Sequence, residues 1–174
     1  MDDFTIGFLV GLAAVLVIAA IIKLRSRKGP TTVAEKAEDL SKRRARMLPA
    51  LALIFLSQQG AYLSHASSNT AQTIKISAWL VLSVVLIAAL ATKGFWFEPK
   101  AVRDLIDDEN TRANRNDAMR LGFLVSMAAA IGIYFMTMFD NMKARESIHI
   151  IMTLGIAAAL LRWAYLERRA HRDA

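Results

Sequence analysis

The chain contains no cysteine, which excludes disulfides, thiolate metal sites and a thiol nucleophile. It holds no HExxH, GxSxG, GxGxxG or Walker sequence, so the common hydrolase and nucleotide-binding signatures are missing. Its longer charged stretches, 23–46 and 93–120, are each too short for an independent catalytic domain. Its long apolar runs carry no ionisable side chain near their middles. Charges inside a bilayer are costly and mark proton relays or ion paths, so their absence argues against an ion-coupled pump or voltage sensor.

What the chain has is apolar residues and basic residues kept apart. Hydrophobic residues make up 55% of 174, alongside 22 Lys and Arg and 15 Asp and Glu. The mean hydropathy is +0.35. Such a mixture suits a chain that threads a lipid bilayer, where about twenty apolar residues cross the hydrocarbon core. The runs predict an all-α integral membrane protein of five spans, at about 4–22, 47–66, 76–92, 121–139 and 147–166. Between them lie charged segments at 23–46, 93–120 and 167–174. Asp2 and Asp3 precede the first run and Lys23, Arg25, Arg27 and Lys28 follow it. This charge order is opposite to that of a signal peptide, and it predicts an uncleaved anchor.

The charged segments also carry helix signals. Thr32-Val33-Ala34-Glu35 fits a capping box, and Val33, Ala37 and Leu40 give the helix it opens an apolar side. The expectation is an amphipathic helix on the membrane surface, ending in Lys42-Arg43-Arg44-Ala45-Arg46 before a separate span from Met47. Pro99 suits the start of a second such helix. Its Lys100/Asp104, Arg103/Asp107 and Asp108/Arg112 pairs stand at four-residue spacing, and Val102, Leu105 and Ile106 form its apolar stripe.

Nineteen of the 22 basic residues lie in the three charged segments or beside them at Arg162; the other side holds Lys75, Lys143 and Arg145. The positive-inside rule therefore predicts an N-out, C-in topology with the basic segments in the cytoplasm. The same clustering beside apolar runs points to lipid rather than nucleic acid. Arg43, Arg44 and Arg46 are the candidate contacts for anionic headgroups.

Four groups of residues are candidates for function. Ser57, Gln58 and Gln59, halfway along the second run, are polar groups that need partners in hydrocarbon; Ser83, Ser126 and Thr153 on other runs are available. They are interhelical glue in one reading and a solute-contacting site in the other. Gly7/Gly11 and Gly122/Ser126/Ala130 repeat small residues at four-residue spacing, which admits a neighbouring backbone. His65 and His149 fall at outer span ends near Met138 and Met142, a donor set that would suit a soft metal or haem iron. Ordinary interface residues are the simpler reading of these four, and no cofactor is expected. The acidic run Asp107-Asp108-Glu109 is flanked by Arg103, Arg112 and Arg115, which favours ion pairs over a cation site. His171 reads as a solvated residue of the tail.

The string Asp107-Asp108-Glu109-Asn110-Thr111-Arg112-Ala113-Asn114-Arg115, continued by Met119-Arg120-Leu121-Gly122-Phe123, is the most distinctive in the chain. It resembles a cytoplasmic element that precedes a span in small polytopic bacterial inner-membrane proteins. The resemblance implies a topology and carries no activity with it. The resulting expectation is a non-enzymatic inner-membrane accessory protein that packs against other membrane subunits or itself. A small carrier or channel for an uncharged or lipid-like solute, and an outer-face metal or haem protein, are the alternatives.

Overall fold

The computed structural model describes residues 32–63, 69–92, 99–140 and 142–173, with Leu9 and Ala13. The span expected over 4–22, with Gly7 and Gly11, otherwise lies outside the described residues, as does His65. The described residues form five helices and no strand: α1 (Val33–Leu63), α2 (Asn69–Ala91), α3 (Lys100–Ile106), α4 (Glu109–Met136) and α5 (Ala144–Asp173). Among the described residues, three helical stretches are long and apolar enough to cross a membrane: Thr73–Ala91 in α2, Glu109–Met136 in α4 and Ala144–Ala170 in α5. These contain the spans expected over 76–92, 121–139 and 147–166, except that Thr92 falls just beyond α2 and residues 137–139 form the turn after α4.

α1 opens with the capping box. The Glu35 amide donates to Thr32 Oγ1 and the Thr32 amide to Glu35 Oε2, both at 3.2 Å. Such caps contribute about 1 kcal/mol. The helix then runs for 31 residues without a break, straight through Pro49, so the surface helix and the span expected from Met47 are one element. A proline inside a helix has no N–H for the carbonyl four residues back and bends or breaks the helix for that reason. In α1 that carbonyl belongs to Ala45, and Arg168 of α5 donates its Nε–H to it at 3.2 Å. A side chain from a neighbouring helix thus replaces the lost backbone donor.

Part of the apolar side of the first turns of α1 is also covered by protein, while Val33 is 48% exposed. Ala37 and Leu40 form a small cluster with Val102 and Ile106 of α3, whereas Leu105, placed by the sequence on the same stripe, is 55% exposed. α3 ends at Asp107, and Asp108 starts α4 by accepting a hydrogen bond from the Thr111 amide at 2.7 Å. The single charged helix expected after Pro99 is therefore two helices. Asp108 is a good N-cap because its short carboxylate offers the free amides an acceptor that a continuing helix would not need.

α5 is the central helix. It lies along α4, its partner in a hairpin, and packs against α1 on another side; α2 touches both α1 and α5. Leu48, Ala52 and Phe55 of α1, Trp79, Leu86 and Leu90 of α2, and Ile156, Leu160 and Trp163 of α5 make up most of the main core. α4 meets α5 through small residues. A Cβ on Gly122 would stand 2.8 Å from both the Ala159 Cβ and the Gly155 carbonyl oxygen, and one on Gly155 would strike Ser126. Lipid tails are as apolar as leucine, so close backbone approach of this kind, with its dense van der Waals contact, is what holds helices together in a bilayer.

Candidate functional site

The polar chemistry gathers at the two ends of α5. At the end carrying its C-terminus, Arg44 of α1 and Glu167 of α5 form an ion pair of 2.6 Å whose side chains are 8% and 4% exposed. The Arg44 guanidinium lies 5.2 Å from the centre of the Trp163 ring. Trp163 donates its indole N–H to Glu167 Oε1 at 3.1 Å, and Arg44 donates to Thr111 Oγ1 of α4 at 3.4 Å. Three helices are joined through one charge pair. Each partner is desolvated, and the bonds to Thr111 and Trp163 offset part of that cost by occupying further donors and lone pairs of the pair.

Weaker ionic contacts surround it. Arg162 meets Asp117 across the α4–α5 contact at 2.8 Å with both side chains partly exposed. Asp107 is buried at the α3–α4 break, where Arg112 and Arg115 hold it at 2.9 and 3.1 Å. Arg115 also reaches the Thr92 carbonyl at 3.5 Å. The acidic run is thus divided between an N-cap, Asp108, and an ion-paired carboxylate, Asp107.

At the other end, His149 is buried with its ring 4.0 Å from that of Trp79. Trp79 stacks on Phe55 at 6.3 Å and donates its indole N–H to Thr153 Oγ1 at 3.2 Å. Indole and imidazole bring polar atoms into an apolar core, and the aromatic faces around them carry most of the packing.

The structure rearranges the residues singled out by sequence. Arg44, grouped with Arg43 and Arg46 as a headgroup contact, is turned inward to Glu167, so its charge is not offered to lipid. Arg43 pairs with Asp39 one turn back at 2.8 Å, and Arg46 is exposed. The serines do not cross-link helices through their hydroxyls. Ser57 donates to Ile54 O, Ser83 to Trp79 O and Ser126 to Gly122 O, since a serine in a helix reaches the carbonyl three or four residues back at little cost. A side chain–side chain bond between α2 and α5 runs from Trp79 to Thr153 instead. Gln58 and Gln59 lie on α1, and their side chains fall outside the described residues. Gly122 and Ser126 sit where α4 meets α5. Met138 is 68% exposed in the turn after α4, Met142 is half-buried before α5, and His149 faces Trp79. The described residues contain no group of three or more His, Cys, Asp or Glu placed to hold a metal.

Sequence reasoning passed over Glu167, Trp79 and Ala45. Glu167 left a trace: it is the one acid between Glu146 and Asp173, and it stands four residues after Trp163 and directly before Arg168 and Arg169. A lone acid at the end of an apolar run and beside arginines invites a search for its partner. Ala45 left a trace too, four residues before Pro49. No protein-family model, curated protein or solved structure matches the chain.

Proposed function

We propose that the protein is a non-enzymatic membrane protein that acts by packing against a second membrane chain, either a different subunit or another copy of itself. The observation that carries this reading is the unequal burial of the α4–α5 hairpin. The apolar stretch of α5 is 50% buried and that of α4 only 11%. α4 spends its small residues on α5 and turns outward a face of Phe123, Leu124, Met127, Ile131, Tyr134 and Phe135. Aromatic residues and methionine are enriched where proteins meet, and this face follows helical spacing along most of the span.

The setting we propose is a bacterial inner membrane, crossed five times, with the N-terminus outside and the C-terminus in the cytoplasm. The charge asymmetry supports that orientation. It puts the Arg44–Glu167 pair at the cytoplasmic end of the bundle and the turn at 137–140 outside.

A photo-crosslinking residue placed in turn at Phe123, Met127, Ile131 and Tyr134 tests the packing. The expected result is one discrete protein adduct of the same mass from these positions and none from Leu53, which faces outward on α1. Crosslinking to lipid alone at all of them, with a monodisperse monomer after mild extraction, would defeat the reading.

A further inference from the structure

Beside the buried Arg44–Glu167 pair, α1 and α5 leave an open cleft of about 480 Å³ lined by Lys42, Ala45, Arg46, Arg168 and Arg172. That volume lies within the roughly 300–1,000 Å³ typical of small-ligand sites. Its described lining holds four cations and no acid. Glu38, one turn from Lys42 and 2.5 Å from its ammonium, is a nearby carboxylate that offsets one of them. The other three are guanidinium groups, the donors best matched to phosphate oxygens. Arg168 is held in place by its bond to the Ala45 carbonyl, so at least one of the forks is positioned before any ligand arrives.

We infer that this cleft binds the phosphate of an anionic phospholipid. The argument for a lipid over a free anion comes from what adjoins the cations. On α5, Leu161 and Tyr165 are 42% and 51% exposed, and they precede Arg168 and Arg172 along one side of the helix. On α1, Leu53 and Ile54 are 64% and 53% exposed and follow Arg46 by about two turns. The apolar run of α5 gives way to charge at Glu167, directly before Arg168. Both helices thus pass from exposed apolar side chains to cations at the same end, the order met by acyl chains and then a phosphate. The inference needs the membrane setting but not a protein partner on α4, so either can fail alone.

The test uses the full chain in detergent with phosphatidylglycerol, phosphatidylcholine of the same acyl chains, or inorganic phosphate added in separate arms. Retention in native mass spectrometry and the shift in thermal unfolding are read together. Phosphatidylglycerol should be retained in preference to phosphatidylcholine and should raise the midpoint, with phosphate doing neither. Arg46→Gln with Arg172→Gln should weaken phosphatidylglycerol about twenty-five-fold, at about fivefold per cation, while leaving the lipid-free midpoint unchanged. Lys143→Gln with Arg145→Gln, at the opposite end, should leave retention as it is. Should the cleft variant misfold, loss of the wild-type preference at high salt supplies the same reading. Equal retention of the two lipids, an equal shift from phosphate, or an undiminished preference in a folded cleft variant would each overturn the inference.

Discussion

Arg44 and Glu167 show how a residue's role depends on what faces it. Read along the chain, Arg44 is one of a basic run and Glu167 is part of a charged tail. Folded, they are two halves of one buried contact. Removing one half leaves a desolvated charge, which costs about 3–5 kcal/mol, whereas replacing both with apolar side chains of similar size removes the penalty together with the bond. Glu167→Gln and Arg44→Met should therefore each lower stability by about that amount in denaturant unfolding of the detergent-solubilised protein, and Arg44→Met with Glu167→Met should recover much of it. Single substitutions costing less than about 1 kcal/mol would mean a solvent-screened pair. A second cycle concerns the proline. Arg168→Met should cost about 1 kcal/mol, the net value of one hydrogen bond. It should cost less in a Pro49→Ala background, where residue 49 regains its own N–H for the Ala45 carbonyl. Additive costs would separate the two residues.

At the scale of the element, Gly122 and Gly132 of α4 make a matched pair. A Cβ at Gly122 meets Ala159 and the Gly155 carbonyl, while one at Gly132 meets nothing within 4 Å. Alanine favours a helix over glycine by about 1 kcal/mol, and crowding a packed contact costs about 1–3 kcal/mol. Gly132→Ala should thus be neutral to stabilising and Gly122→Ala destabilising in the same unfolding assay. Equal effects would remove the close α4–α5 approach. The helical class and the apolar stretches of α2, α4 and α5 are legible in the chain, because hydropathy and length are local properties. The course of α1 is not. The basic run ending at Arg46 reads as a boundary, whereas the helix runs on through Pro49, with the freed Ala45 carbonyl taken up by Arg168, 123 residues from it in the chain. The division of α3 from α4 is half legible: Asp108 with Thr111 is a capping pattern, but the competing four-residue charge spacing points to one helix. The site is less legible still. Small residues at Gly122 and Ser126 mark a close-packed face from sequence alone, whereas pairing Trp79 with Thr153, or Arg44 with Glu167, depends on which helix faces meet.

For the whole molecule, the arrangement follows from placing the ionic contacts at one end of α5 and the aromatic core with His149 toward the other. In our reading the ionic end sits at the cytoplasmic face, where lipid phosphates and water can share the work of solvating Arg46, Arg168 and Arg172. The turn at 137–140, with exposed Met138 and Phe139, sits at the opposite face. Because the chain has no cysteine, single cysteines can be introduced at Met138, Asp104 and Arg172, all exposed positions, and probed in intact cells with a membrane-impermeant maleimide. We predict labelling at Met138 without permeabilisation, and labelling at Asp104 and Arg172 only after it. Equal labelling of the three in intact cells, or of Asp104 and Arg172 but not Met138, would contradict the membrane arrangement on which the proposed function rests.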